Sequence, residues 1–462
     1  GLSFITGSGT NGAGSTQSFK ASSDLYPQGV KSALLLSKSP AVQFAKNLDF
    51  LVRYPYGCLE QTVSCAFPQI YLSDITGLFP ATAGRNFIGG GTVGYHVQQA
   101  ILKIEAMQLY NGGFSLWPQG GTADWWASAY ATHFLLEAKE AGYEVNKKVL
   151  DGALRFLAQK VKEREMETYF YNENGVSKSR NVPRREIPYS VYVLAMADQA
   201  PISTMNYYKS LVADLTSESR YLLASAYMLA GDVKSFRSVL PKVFGTERAI
   251  SEFGRCYASY LRDRSLALNA LLEVDPNNPQ VNELLKGISI ELKNGRYYST
   301  QESAFALLAI GKHARKAAAA NITAQVTVDG KNVGTFNNKD MQLALGINNK
   351  SVTIAAKGTG SLYYYYEVSG IKLTPNLSDK DNHLKVRRRF LDRNGNSLNG
   401  NTFNQNDLLV VEITAQSESG TAVDNVAITD LLPACFEIEN SRLVAEREMD
   451  FMKSRSTAEY TD

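Results

Sequence analysis

The 462-residue sequence contains few of the residues that carry metal, redox or disulfide chemistry. It has four cysteines, Cys58, Cys65, Cys256 and Cys435, and four histidines, His96, His133, His313 and His383. The cysteines follow no pairing pattern, so we do not expect a disulfide framework. The spacings HxxxH, CxxC and HExxH are absent, and the helical histidines are typical of packing or surface positions. The sequence therefore predicts neither a metal site nor a cofactor.

A strong charge of one sign and long apolar runs are also missing. The formal net charge is only +3, which gives no reason to expect a nucleic acid or an anionic membrane as partner. No stretch approaches the roughly 18 apolar residues of a membrane span. The one dense basic run, Lys385-Val386-Arg387-Arg388-Arg389, is typical of the solvated part of a strand, with a docking patch as the alternative.

The N-terminal stretch GLSFITGSGTNGAGSTQS resembles neither a targeting segment nor a nucleotide site. It lacks the basic and apolar regions of a secretion signal. Its Gly7–Gly12 segment matches the pattern GxGxxG, but no strand is predicted before it and no amphipathic helix after it. We therefore interpret this segment as a flexible loop.

The chain falls into regions of different hydrophobic periodicity. Up to about residue 36 it is rich in Gly, Ser and Thr with short strand-like patches, and from Ser39-Pro40 to about Ala319 it predicts helix after helix. Beyond that point the period changes to two, with an Asp329-Gly330 turn and then a second predicted hairpin that contains Tyr363–Tyr366. The outline is a β fragment, a large helical domain and two β-sandwich-like units.

Several helices share a small residue followed by an aromatic one. These motifs are Ser128-Ala129-Tyr130, Ser190-Val191-Tyr192, Ser225-Ala226-Tyr227 and Ser303-Ala304-Phe305. Their spacing suggests stacked helix pairs, in which small residues allow close approach and aromatic rings fill the layer between helices. Such an array either closes into an α/α toroid or remains an open solenoid, and the periodicity favours neither.

The stretch YPYGCLEQTVS contains the strongest candidate for chemistry. A thiol at Cys58 and a carboxamide at Gln61 lie on the same side of one helical turn, so they can condense into an internal thioester with loss of ammonia. Gly57 permits a sharp turn, and Pro55 ends any preceding helix. The alternative is a buried structural cysteine, which is the interpretation we also give to Cys65.

The surroundings of Cys58 suit the thioester. A helix that starts at Leu59 would direct its first N–H groups at the sulfur and the acyl oxygen, which lowers the thiol pKa and stabilises an oxyanion. Tyr54 and Tyr56 are suitably placed to exclude water from the bond. A protease-type cysteine nucleophile would instead need a base, and the sequence brings no histidine near Cys58.

The motif YPYGCLEQT closely resembles the thioester motif of bacterial alpha-2-macroglobulins and, more distantly, that of the complement thioester proteins, in which Gly usually replaces Leu59. The resemblance extends to NGGFSLWPQGGTADWWASAYATHFLLEAKEAGYEV, to STQESAFALLAIGK and to LLPACFEIEN. It implies a thioester between Cys58 and Gln61, surrounded by Tyr54, Pro55, Tyr56, Gly57, Leu59 and Glu60.

The resemblance also implies a multidomain α + β fold. Residues 1–37 and 320–375 would be the two parts of a CUB-like β domain. Residues 38–319 would form an α/α-toroid thioester domain inserted into it. Residues 376–462 would form a macroglobulin-like β-sandwich, which we expect to be truncated.

The implied function is that of a protease trap. A protease cuts a bait region, the molecule rearranges, and the exposed thioester acylates the attacker in a single event, so no turnover enzyme is expected. Target proteases are the implied partners, with a periplasmic penicillin-binding protein as a further candidate. The implied location is the periplasm or cell surface, with a membrane anchor in a region that precedes this chain.

Some features depart from the family. The bait region precedes this chain, so we do not expect the chain alone to trap a protease. Hydroxyl-preferring complement proteins carry a histidine downstream of the thioester, and the corresponding region, placed loosely at residues 169–181, contains none. We therefore expect lysine amines to be preferred over hydroxyls.

Three other hypotheses remain open at the sequence level. The first is an α/α-toroid enzyme such as a cyclase or lyase, but no acidic cluster of type DxDD or DDxxD supports it. The second is a covalent adhesin or opsonin-like protein that uses the same thioester on host or glycan surfaces. The third is a degenerate family member whose Cys58 remains a thiol.

Overall fold

The computed structural model describes residues 2–44, 57–71, 93–252, 254–293, 298–316, 321–344, 346–373, 381, 384–392, 394–398, 400, 402–418 and 426–438. The chain divides into two compact units, Gly1–Leu373 and Thr374–Asp462. The first unit holds both β and helical structure, and the second unit is described through its strands.

The helices of the first unit all lie between two groups of strands. The strands before them are β1 (Leu2–Gly12), β2 (Thr16–Lys20) and β3 (Lys31–Ser37), and a short 3-10 helix follows at Pro40–Phe44. The helices and the strands among them are α1 (Leu59–Ala66), α2 (Val93–Glu105), α3 (Trp125–Glu140), α4 (Lys147–Lys160), β4 (Met166–Glu173), β5 (Val176–Pro183), α5 (Glu186–Met196), α6 (Ile202–Ser210), α7 (Ser217–Leu229), α8 (Val233–Val239), β6 (Arg248–Ala249), α9 (Tyr260–Val274), α10 (Gln280–Lys293) and α11 (Thr300–Lys316). The strands after them are β7 (Asn321–Val328), β8 (Lys331–Asn337), β9 (Met341–Leu343), β10 (Ser351–Thr359) and β11 (Ser361–Ile371).

The strands on both sides of the helical segment build two antiparallel sheets that share one core. The sheet orders are β1-β11-β3-β9 and β2-β10-β7-β8. Leu34 and Leu36 from the first sheet pack with Ile322 and Ile354 from the second. Alternate residues of each strand face this core, as expected for sheets with one buried face. The predicted turn at Asp329-Gly330 joins β7 to β8 with positive φ at both residues, in agreement with the sequence.

The interpretation of Gly7–Gly12 as a flexible loop is wrong, because these residues belong to β1. Gly7 lies opposite Tyr366 and Gly9 lies opposite Tyr364 in the antiparallel register. A Cβ on either glycine would collide with the facing tyrosine ring. The ring of Phe19 stacks on the Tyr364 ring at a centroid distance of 5.1 Å and on the Tyr366 ring at 4.6 Å. The glycines are therefore needed for space rather than for flexibility.

The second predicted hairpin is also wrong, because β10 and β11 belong to different sheets. The chain crosses between the sheets at Gly358 and Gly360, which have φ of +108° and +96°. The predicted alternation of the tyrosines is confirmed. Tyr364 faces the shared core, whereas Tyr365 packs on the other face against Val42 of the 3-10 helix.

The odd-numbered helices contact one another in a cycle. Helix α1 contacts α3, and the contacts continue through α5, α7 and α9 to α11, which contacts α1. Trp126, in the first turn of α3, donates to Gln301 in the first turn of α11 at 3.2 Å, and the Arg262 guanidinium of α9 lies over its ring at 4.6 Å. The three helices therefore run in the same direction, with their N-terminal turns side by side.

The four small-aromatic motifs all lie on odd-numbered helices, as the stacking hypothesis requires. Ser128, Ser190 and Ser225 are fully buried. The rings of Tyr130 and Phe305 meet at a centroid distance of 4.9 Å. The predicted run of helices missed one element, the β4–β5 hairpin with its third strand β6.

The basic run of the second unit lies on β12 (Leu384–Leu391), which pairs with β13 (Val410–Ser417). Its arginines form ion pairs: Arg387 with Asp381, Arg388 with Asp430 and Arg389 with Glu412. These partners favour the solvated strand over a basic docking patch.

A buried ion network joins the C-terminal ends of three odd-numbered helices. Lys312 of α11 bonds Glu137 of α3 at 2.8 Å and Glu273 of α9 at 2.6 Å. His133 contacts Glu137 at 2.9 Å, and its other ring nitrogen contacts the Tyr189 hydroxyl at 2.9 Å. Burial alone would raise the pKa of Glu137, but Lys312 and His133 outweigh it and hold the pKa below 4.5. The predicted packing role of His133 is therefore confirmed.

We expect Lys312→Met to destabilise the first unit by about 3–5 kcal/mol, because it leaves Glu137 buried without its counter-charge. In the native protein the lowered pKa of Glu137 contributes stability above the unfolded value of 4.5, and this contribution is lost as pH falls. In the variant, burial raises the pKa of Glu137 above its unfolded value instead. Ionising the buried carboxyl then costs free energy, so the variant loses stability as pH rises. Urea unfolding from about pH 2 to pH 8 measures both slopes, because the native slope lies below the unfolded pKa of 4.5 and the variant slope lies above it. Lys139→Met, at an exposed position on α3, is the control, and equal slopes for native and variant protein would contradict the account.

Candidate functional site

Cys58 is the N-cap residue of α1, a helix of eight residues. Its backbone is extended, with φ −71° and ψ 176°, and its carbonyl accepts the N–H of Thr62 at 2.9 Å. Leu59 begins the helix as predicted, and its N–H donates to the carbonyl of Leu116 at 2.8 Å. Because the side chain of Leu59 is fully buried, both its backbone and its side chain anchor the start of α1.

Gln61 turns its side chain back toward Cys58. Its Oε1 accepts the backbone N–H of Cys58 at 3.2 Å. Gly57 has φ of +100°, and a Cβ at that position would overlap the Gln61 carboxamide. A side chain at residue 57 is therefore strained by its positive φ and would displace the Gln61 carboxamide from its present position. The structure thus brings the Gln61 side chain to the backbone of Cys58, the residue with which the Cys-x-x-Gln spacing pairs it.

Glu60 ties the start of α1 to the start of α11. Its carboxylate is 4% exposed and accepts from the Ser64 hydroxyl at 2.7 Å and from Thr300 at 2.9 Å. Burial raises the pKa of Glu60, and the hydrogen bonds from Ser64 and Thr300 oppose that shift. Since Thr300 is the first residue of α11, Glu60 closes the cycle of odd-numbered helices beside Cys58.

The N–H groups at the start of α1 lower the pKa of the Cys58 thiol as expected, but the net shift is upward. Burial raises the pKa of this half-buried thiol, and the Glu60 charge adds to the rise. The backbone N–H of Gln61 acts in the opposite direction but does not outweigh burial. A helix of eight residues supplies only a few aligned dipoles, so desolvation decides the sign.

Two residues near Cys58 were not predicted. Lys103, in the last turn of α2, donates from Nζ to the carbonyl of Gly57 at 2.7 Å. Tyr257 lies in the segment before α9 with φ of +51°, and burial together with the charges of Glu60, Asp124 and Cys58 raises its pKa. Neither residue belongs to a local motif, because each approaches Cys58 only through helix packing.

The structure leaves part of the predicted site untested. Tyr54, Pro55 and Tyr56 lie outside the described residues, so the shielding role of the tyrosines stays a prediction. Within the described part of the chain, no group of three or more His, Cys, Asp and Glu side chains is arranged to hold a metal ion. Across the same residues, no helix has the length and apolar character needed to cross a bilayer.

Two segments of the chain match known protein families. Residues 31–220 match the family described as the A-macroglobulin TED domain, and residues 384–462 match the bacterial alpha-2-macroglobulin MG10 domain. These two segments are thus similar to macroglobulin domains, in a chain with both α and β structure.

The relatives make the assignment more specific. The chain is 28% identical to the alpha-2-macroglobulin of Escherichia coli over 427 residues, covering 90% of this chain and 25% of that protein. It is also 27% identical to the alpha-2-macroglobulin of Xylella fastidiosa, covering 92% of this chain and 26% of that protein. We therefore recognise the chain as a relative of the bacterial alpha-2-macroglobulins that spans about a quarter of their length.

Solved structures share the fold. The native Escherichia coli alpha-2-macroglobulin from domain MG7 to the C-terminus matches with a TM-score of 0.63 and 23% identity, covering 90% of this chain and 64% of that one. The relatives carry the names of macroglobulins rather than of enzymes.

Thr300→Val should destabilise the first unit by about 1–3 kcal/mol, because it leaves the buried Glu60 carboxylate with one hydroxyl donor fewer. Thr300→Ser is the matched control, since it keeps the hydroxyl and should remain close to the native protein. Urea unfolding at pH 7 measures the difference. Equal midpoints for the two variants would show that the hydroxyl contact to Glu60 contributes little.

Proposed function

We propose that Cys58 and Gln61 form an internal thioester and that this chain is the thioester-bearing part of a protease trap. The observation that carries the proposal is the position of the Gln61 carboxamide, which is folded back onto Gly57 and the N–H of Cys58. In this position the carboxamide needs no large movement to meet the thiol. Relatives that are all alpha-2-macroglobulins give the proposal its family context.

The chemistry follows from the two side chains. The Cys58 sulfur attacks Cδ of Gln61, a C–S bond forms, the C–N bond breaks, and ammonia leaves with the thiol proton. The thioester is then an acyl donor held in a partly buried site. An amine such as a lysine side chain attacks the same Cδ and releases the Cys58 thiol, so the protein becomes covalently bound to its target. Each molecule reacts once.

The finer architecture belongs to the same proposal. We divide the chain into two parts of a CUB-like domain at residues 1–37 and 320–375, an α/α toroid at 38–319 and a macroglobulin-like sandwich at 376–462. The pairing of β1 with β11 supports the split β domain. The cycle of contacts among the odd-numbered helices supports the toroid. The MG10 match over residues 384–462 supports the macroglobulin-like sandwich.

Protease capture is a property that we propose for the whole protein of which this chain is a part. A Salmonella alpha-2-macroglobulin structure reacted with methylamine matches with a TM-score of 0.63 and 23% identity, covering 90% of this chain and 27% of that one. Methylamine is a small mimic of a lysine amine, which supports target proteases as the partners. A periplasmic or surface location, a membrane anchor outside this chain and a penicillin-binding protein partner remain part of this proposal.

The first test is intact mass before and after methylamine, with thiols counted alongside. We expect a native mass one ammonia short of the sequence, then uptake of one methylamine with one new thiol at Cys58. Gly57→Ala should have the full mass, because its methyl group occupies the space of the Gln61 carboxamide. Gly142→Ala is the matched control, since Gly142 also has positive φ, at +90°, but open space beside it. A native protein of full mass with an unmodified Gln61 would refute the thioester.

The second test concerns the choice of nucleophile. We expect methylamine to form adducts at Gln61 in much higher yield than glycerol, because the β4–β5 hairpin contains no histidine. The described His133 is engaged with Glu137 and Tyr189. Competition between the two nucleophiles, with peptide mass spectrometry of Gln61, gives the ratio. Comparable yields of ester and amide would contradict the predicted preference and favour a glycan-directed adhesin.

A further inference from the structure

We propose that Lys103 is a positioning residue of this site, which orients the Gly57–Cys58 peptide and stabilises the Cys58 thiolate that leaves when the thioester opens. This inference rests on the proposed thioester. It assigns a role to a residue on a different helix, α2, whose Nζ lies 2.7 Å from the Gly57 carbonyl oxygen.

The peptide between Gly57 and Cys58 is held at both of its polar groups. Lys103 donates to its carbonyl oxygen at 2.7 Å, and its N–H donates to Oε1 of Gln61 at 3.2 Å. A peptide unit is planar, so a bond at one end fixes the direction of the other. The ammonium of Lys103 therefore helps to orient the Cys58 N–H that donates to the Gln61 carboxamide.

The bond from Lys103 is not the usual one for its place in a helix. A lysine in the last turn generally interacts with the carbonyls at its own helix C-terminus. Lys103 instead crosses from α2 to the residue that precedes Cys58. It is partly buried, and burial lowers its pKa, with the charges of Cys58 and Cys65 acting in the opposite direction. Its hydrogen bond to the Gly57 carbonyl places the ammonium at the residue directly before Cys58.

A charge appears at Cys58 only when the thioester opens. The attacking amine forms a C–N bond to Cδ of Gln61, the C–S bond breaks, and its electron pair remains on the sulfur as a thiolate. The extra proton of the amine passes to solvent. Glu60 on α1 and the Tyr257 hydroxyl also act electrostatically with Cys58, and both are acids. Lys103 supplies the positive charge that offsets the new thiolate in a half-buried position.

The first experiment measures the pKa of the Cys58 thiol from the pH dependence of its alkylation by iodoacetamide, quantified by peptide mass. It uses the methylamine-opened protein or, where no thioester has formed, the protein as purified. We expect Lys103→Met to raise the thiol pKa by about one unit or more, as removal of an adjacent opposite charge does. Lys103→Arg should keep the native value, and Lys148→Met, an exposed lysine on α4, should change nothing.

The second experiment measures the rate of thioester opening by methylamine from the release of the Cys58 thiol. We expect Lys103→Met to slow opening about three- to tenfold, because a leaving thiol of higher pKa leaves more slowly. Lys103→Gln separates the two roles, since its amide can still donate to Gly57 but carries no charge. It should form the thioester as completely as the native protein and still show the raised thiol pKa.

The outcomes distinguish this inference from the proposed function. A native protein of full mass with an unmodified Gln61 refutes the thioester, whereas the thiol titration still tests Lys103. An unchanged thiol pKa in folded Lys103→Met and Lys103→Gln overturns the role of Lys103 and leaves the thioester standing. A protein that is one ammonia short but has a free Cys58 thiol also overturns it, because Gln61 would then have acylated Lys103 itself.

Discussion

The contact on which the site depends is the return of the Gln61 side chain to the backbone of Cys58. It is possible only because residue 57 has no side chain and adopts a positive φ. Three contacts from other parts of the chain hold this turn in place. The carbonyl of Leu116 accepts the first N–H of α1, and Lys103 donates to the carbonyl of Gly57. The Thr300 hydroxyl donates to the carboxylate of Glu60, which precedes Gln61.

The two ends of the odd-numbered helices have different electrostatic characters. At the N-terminal turns burial raises the pKa of Glu60 and of Asp124. At the C-terminal ends Lys312 keeps Glu137 ionised although both are buried. The same set of helices thus carries the buried Lys312–Glu137 ion pair at one end and the partly buried Cys58 at the other.

The sequence was most informative where a pattern is local. The small-aromatic motifs, the Asp329-Gly330 turn and the pairing of Cys58 with Gln61 each depend on neighbours within one turn of structure. Features set by distant partners could not be predicted. Gly7–Gly12 is a strand only because Tyr364 and Tyr366 lie across from it. The contact from Lys103 and the burial that raises the pKa of Cys58 likewise arise from the packing of α1 and α2.

The pairing of β1 with β11 also has a consequence for folding. Leu2 lies opposite Ile371, so the sandwich cannot close until the entire helical segment has been synthesised. Loop closure over such a sequence separation is slow. The edges of the strands that precede the helices therefore stay unpaired until β11 is available. Unpaired strands rich in β-branched and aromatic residues are prone to associate with other chains. The glycines and serines of β1 make it a weak partner for wrong pairing, so the composition that accommodates two tyrosines in the finished fold also protects the nascent chain.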